Sequence, residues 1–239
     1  MWLIYFLLIV TIFASGSLIF LIKNVNKNAV KLTLAFSGAF LIGITFLQLV
    51  PEVFGSSVRY TGLFVILGFL IQLVLEMITE GAEHGHEHVH TDDEKVSPFL
   101  LLIGLCIHSF LEGMPIVGTF DQDVRFSLAT GIIIHNIPIS LTLMSLFLHY
   151  GCSRKKSFIY LGIFALMTPL GSIVSELIQV NFEESIGNAF YYIMAVVIGI
   201  FLHVSTSILF EAGENHRYNL KKFLTVCLGV LVAYFLSSH

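Results

Sequence analysis

Two histidines and one glutamate stand in stretches of sequence that are otherwise almost wholly apolar, and they carry the chemistry this chain can do. His108 and Glu112 are four residues apart in the segment His108-Ser109-Phe110-Leu111-Glu112-Gly113. In a helix that spacing stacks the two side chains one turn apart on one face. His135 and Asn136 stand in a second such segment, His135-Asn136-Ile137-Pro138-Ile139-Ser140. An ionisable side chain in the middle of a membrane helix costs about 2.5 to 3.5 kcal/mol on insertion scales, so one that remains there is a functional candidate. Imidazole nitrogen and carboxylate oxygen are good ligands for zinc, and a site of three such ligands leaves a position open for water or a mobile ligand. Ser109 and Asn136, each beside a histidine, add weaker oxygen contacts. The same residues satisfy a simpler reading, in which His108 and Glu112 only pair with each other, but that leaves His135 unexplained.

Each segment carries a proline three residues past an ionisable candidate: Pro115 after Glu112 and Pro138 after His135. A mid-helix proline frees a backbone carbonyl, which is tolerated at membrane depth where protein or a cavity satisfies it. Broken helices recur at the binding sites of transporters. A different histidine pattern, Glu83-His84-Gly85-His86-Glu87-His88-Val89-His90 followed by Asp92, Asp93 and Glu94, has a metal-binding composition suited to loose capture or sensing. Gln48, Glu52, Glu176, His203 and Glu211 are further polar residues near the ends of apolar runs, placed to line two vestibules; for Gln48 and Glu176 a packing or interfacial role explains them equally well.

The elements that must position these groups are membrane helices. The 239 residues are 56% hydrophobic and 12% charged, and the mean hydropathy is +0.89, far from the balance of a water-soluble domain. Apolar runs of about 20 residues, the length needed to span a bilayer, follow one another with short polar breaks. They predict spans near 1 to 22, 32 to 54, 60 to 80, 98 to 119, 126 to 149, 157 to 180, 187 to 211 and 220 to 237. The first lacks a basic segment ahead of its apolar stretch, so it reads as a retained helix and not as a signal. The whole chain, 1 to 239, reads as one transmembrane domain with a His-rich cytoplasmic loop at 81 to 97.

The basic residues test that count separately, because Lys and Arg gather on the cytoplasmic side. With eight spans, Lys23, Lys27, Lys31, Lys95, Arg154, Lys155, Lys156, Arg217, Lys221 and Lys222 share one side, and Arg59 and Arg125 face the other; these are all 12. Both termini are therefore expected outside a cell membrane crossed several times. Cys106, Cys152 and Cys227 have no CxxC spacing, so they read as buried free thiols and not as a disulfide frame or thiolate cluster.

With those residues in view, the chain resembles the ZIP (Zrt-, Irt-like) metal transporters. HSFLEG resembles the family's His-(Asn/Ser)-x-x-(Glu/Asp)-Gly motif in its fourth helix, and HNIPIS its His-x-x-Pro motif in the fifth. Gly38-Ala39-Phe40-Leu41-Ile42-Gly43 running to Gln48-Leu49-Val50-Pro51-Glu52 is similar to its second helix, Thr168-Pro169-Leu170-Gly171 to the Glu-Pro-Leu-Gly of its sixth, and Gly199 to Glu211 to its seventh. The resemblance implies an all-α fold of eight transmembrane helices, with two inverted three-helix repeats flanking helices four and five. It also implies both termini outside and metal moving toward the cytoplasm. His108, Glu112 and His135 inherit primary roles at the site, and Ser109 and Asn136 secondary ones.

Three departures bear on the site. Ile139 and Thr168 stand where many members have carboxylates, and Gln48 replaces a common histidine. A single His-His-Glu site is therefore expected, and not a two-metal centre. The metal residues expected are thus His108, Glu112, His135, Ser109 and Asn136, with His203 along the path and His84, His86, His88 and His90 in the loop. The function expected is transport of a divalent transition metal, most of all zinc, since two imidazoles favour it over harder ions. The metal is then substrate, and no catalytic cofactor is expected. The partners are the ion and the lipid bilayer, with no nucleic acid, and homodimerisation is left open. A membrane-embedded zinc hydrolase and a metal-sensing receptor are the rivals, but no HExxH occurs, and a hydrolase gives no reason for the HxHxHxH loop.

Overall fold

A computed structural model describes residues 1–21, 27–79, 97–117, 122–182, 188–211 and 220–237. His84, His86, His88 and His90 lie outside the described residues, as does the side chain of Glu211. Among the described residues every regular element is helical. These are α1 (Trp2–Ser17), α2 (Lys27–Ile44), α3 (Val50–Gly55), α4 (Thr61–Thr79), α5 (Pro98–Gly113), α6 (Gln122–His149), α7 (Arg154–Phe182), α8 (Ala189–Glu211) and α9 (Leu220–Ser237). A π turn at Thr45–Leu49 joins α2 to α3, so the two make one span. Pro51 has no N–H for the carbonyl of Leu47, and the helix register resets just ahead of it. Among the described residues seven helices are long and apolar enough to cross a membrane, and the 16-residue α5 is the shorter eighth.

The fourth span differs from expectation. A helix was expected to run on past Pro115, but α5 ends at Gly113. Pro115 cannot donate to the carbonyl of Leu111, and the N–H of Met114 takes that carbonyl instead, at 3.2 Å, closing the last turn. At 1.5 Å per residue α5 covers about 24 Å of a hydrocarbon core about 30 Å thick. The chain continues as buried irregular backbone through Ile116 and Val117. The hydroxyl of Ser172 donates to the carbonyl of Ile116 and also contacts the hydroxyl of Tyr5 at 2.9 Å. Non-helical backbone at this depth is thus satisfied by protein. Pro138 and Pro169, by contrast, lie inside unbroken helices.

The ends of the bundle agree with an even number of crossings. Arg125, in the first turn of α6, reaches the sulfur of Met1 at 3.4 Å, and the hydroxyl of Ser127 donates to the carbonyl of Leu236 at 2.9 Å. The start of α1, the start of α6 and the end of α9 therefore share one end. At the other end, the guanidinium of Arg154 lies over the ring of Phe20.

Association of helices in lipid rests on close packing more than on apolar burial, and small residues let backbones approach. The principal pairings are α4 on α8, α2 on α9, α5 on α7 and α1 on α6. The α5–α7 contact is the tightest near the site: a Cβ on Gly113 would lie 2.0 Å from the carbonyl oxygen of Thr168, and one on Gly171 would lie 1.9 Å from that of Phe110. Only glycine allows this approach from both sides. The outer faces are apolar. On α4, Leu63, Ile66, Leu70, Val74 and Met77 are exposed while Thr61, Gly68, Gln72, Leu75 and Thr79 are buried. The buried stripe is the more polar one, the reverse of a helix in water, as expected where lipid is the solvent. No disulfide links the cysteines; Cys106 and Cys152 are half-buried, and Cys227 is exposed on the outward side of α9 and not buried as expected.

Candidate metal centre

Helix α5 supplies His108, Ser109 and Glu112, α6 supplies His135 and Asn136, and all five side chains are fully buried. His135 stands halfway along the 28-residue α6. The Oε1 atom of Glu112 lies 3.2 Å from Nε2 of His108 and 3.5 Å from Nε2 of His135. One atom from each of the three residues falls within 4.8 Å of the others. Zinc bonds of about 2.1 Å in tetrahedral geometry place neighbouring ligand atoms about 3.4 Å apart. The two carboxylate–imidazole separations therefore match those of neighbouring ligands on one ion. Neither carboxylate oxygen of Glu112 accepts a conventional hydrogen bond among the described residues. A buried carboxylate left this way is expensive unless a cation accompanies it.

The flanking residues behave differently from one another. The hydroxyl of Ser109 lies 2.8 Å from that of Thr168 on α7 and so already has a partner. Neither amide atom of buried Asn136 has a hydrogen-bond partner among the described residues, which leaves its oxygen available to a ligand or a water-borne ion. Ile139, one turn beyond His135, packs into an apolar cluster with Leu105, Leu143 and Phe164. The two positions that lack acids are thus filled by a hydroxyl pair and by core.

Helix α4 contributes a residue that the sequence reading did not single out. The Oε1 atom of Gln72, itself fully buried, lies 3.0 Å from Nδ1 of His108. One turn further along α4, Oε2 of Glu76 lies 3.3 Å from Nδ1 of His203 on α8 and 3.5 Å from the hydroxyl of Ser207. His203 therefore pairs with α4 and does not join the His108–Glu112–His135 cluster. An amide and an acid one turn apart in the otherwise apolar run 61 to 79 were the available signal. Of the other polar residues, Gln48 stands in the π turn with its Oε1 unpartnered among the described residues, Glu52 is exposed and Glu176 is half-buried.

Comparison with known proteins gives a consistent result. Residues 79–237 match the family model described as ZIP zinc transporter. The chain is 28% identical over 177 residues to zinc transporter ZIP9-B of Xenopus laevis, covering 67% of this chain and 56% of that protein. It is 30% identical over 181 residues to zinc transporter ZIP1 of Plasmodium falciparum, covering 66% and 48%. Zinc transporter ZupT of Streptococcus mutans is 26% identical over 238 residues, covering 91% and 89%. The chain spans about half the length of the frog and Plasmodium relatives.

Proposed function

Because the chain belongs to the ZIP zinc transporter family, we propose that it moves zinc across a cell membrane toward the cytoplasm, passing it through a midplane site made by His108, Glu112 and His135. The observation that carries this reading is that Oε1 of Glu112 lies 3.2 and 3.5 Å from Nε2 of His108 and of His135, separations that suit ligands of one tetrahedral divalent ion. Asn136 supplies the nearest further oxygen, and Ser109, held by Thr168, a weaker one. Two neutral imidazoles and one carboxylate leave a bound divalent ion with a net charge of about +1. That is enough to draw the ion out of water without trapping it, since transfer requires release as well as capture.

In this reading His203, with Glu76 and Ser207, stands along the route between the cluster and the cytoplasm. His84, His86, His88 and His90 act in the cytoplasmic loop, as loose collectors or sensors of the delivered ion. The ten-to-two distribution of Lys and Arg supports both termini outside. The zinc is cargo, and no catalytic cofactor enters.

The test is uptake of zinc into sealed vesicles carrying the purified chain, set against empty vesicles, with hydrolysis assayed in detergent alongside. Zinc entry that disappears in Glu112→Ala supports the reading. Hydrolysis without entry, or entry that survives Glu112→Ala, overturns it.

A further inference from the structure

Helix α4 presents mostly lipid-facing apolar residues, yet it buries an amide. Gln72 is fully inaccessible, and its Oε1 atom lies 3.0 Å from Nδ1 of His108. The close approach of α4 to α5 makes the contact: a Cβ on Gly104, one turn before His108, would lie 2.4 Å from Cγ2 of Thr79. A buried amide is disfavoured in an apolar setting unless it is hydrogen-bonded, and two leucines would fill this space without the requirement.

We infer that Gln72 is the positioning residue of the metal centre, accepting the Nδ1 proton of His108 so that Nε2 presents its lone pair to the ion. In neutral imidazole one nitrogen donates and the other accepts, and the partner of one decides the role of the other. With the Nδ1 proton directed at Oε1 of Gln72, Nε2 is the acceptor. It is Nε2 that lies 3.2 Å from Oε1 of Glu112, at the separation of two ligands of one ion. Without Gln72, the proton is free to move to Nε2, where it would donate to Glu112 and close the site to metal. The amide also fixes the ring plane, which a free histidine does not keep.

The choice of amide over carboxylate has its own consequence. A carboxylate at position 72 would hold the same proton, but it would add a negative charge beside the ion and remove the net positive charge that favours release. Gln72 therefore orients without trapping. Glutamate at this position is expected to bind more tightly and turn over more slowly.

This inference rests on the proposed transport reading, and the experiment separates the two. Zinc uptake is measured in proteoliposomes containing the full chain as wild type, Gln72→Leu, Gln72→Glu and Glu112→Ala, with thermal melting of each protein recorded in the absence of metal. Gln72→Leu is expected to raise the KM for zinc by about 10- to 100-fold, the effect typical of removing a hydrogen-bond partner behind a histidine ligand. Gln72→Glu is expected to restore the KM to the wild-type value or below, with a lower maximal rate. A wild-type KM in Gln72→Leu overturns the inference. So does a KM in Gln72→Glu as high as in Gln72→Leu, or a loss of uptake that follows lowered melting temperature equally in both variants. If Glu112→Ala keeps wild-type uptake, the parent reading fails instead, whatever Gln72 does.

Discussion

The hydroxyls of Ser109 on α5 and Thr168 on α7 lie 2.8 Å apart in a fully buried contact, three residues before Glu112 along α5. Two divalent ions a few ångströms apart repel strongly at low dielectric, and bridging carboxylates are what offset that repulsion. Here Ser109, on the same helix as Glu112, and Thr168 are two neutral oxygens that already serve each other. One tightly held ion per chain is therefore expected in the transmembrane region. Metal counting on a full-length variant with His84, His86, His88 and His90 replaced by alanine checks the number. Thr168→Asp, close in size but charged, is expected to raise it toward two; a second full equivalent in the unsubstituted centre contradicts the argument.

Alanine at His108, at Glu112 or at His135 is expected to reduce zinc uptake by at least about 100-fold while leaving the protein in the membrane at near-normal amounts. Each variant removes one of the three ligands proposed for a single ion. Uptake rates normalised to protein in the bilayer are the measurement. Any of the three transporting at the wild-type rate removes that residue from the centre.

Gly171→Ala tests the packing that holds α5 and α7 in register. Its Cβ would fall 1.9 Å from the carbonyl oxygen of Phe110, which is rigid helix backbone and cannot step aside. Overpacking of this kind typically destabilises by about 1 to 3 kcal/mol. Both a lower melting temperature and weaker uptake are expected, since the helices must separate and carry Ser109 and Glu112 away from their partners. Gly55→Ala, at a position with nothing within 4 Å of the added carbon, is the control expected to leave both unchanged.

Deleting Glu83 to His90 is expected to leave uptake at saturating zinc close to wild type and to alter its dependence on lower zinc concentrations. The alternating histidines suit collection and not passage, because the proposed route runs between helices. Full concentration curves for the deleted and intact chains distinguish the two roles. Complete loss of uptake at saturating zinc would put the loop in the pathway itself.

The eight apolar runs, the one-sided distribution of Lys and Arg, and the stacking of His108 over Glu112 were all readable from residue types and intervals. Each depends on something local: the length that spans a bilayer, the charge of a connecting segment, or the 3.6-residue period within one helix. His135, Ser109 and Asn136 were readable in the same way, as polar residues in apolar runs, and the motif resemblance gave them primary and secondary roles by position. What brings Nε2 of His135 within 3.5 Å of Glu112 is the packing of α6 against α5, which no interval in the chain encodes. The same holds for Gln72, 36 residues from His108 in the chain but 3.0 Å from it in space, and for Thr168, which takes the hydroxyl of Ser109. The early end of α5 was decided at the same level. Pro115 can be read as a kink or as a stop, and the choice depends on whether folded neighbours satisfy the backbone beyond it; Ser172 on α7 does so. Local chemistry therefore named the candidate ligands, and contacts between helices that meet only after folding decided how they are aimed.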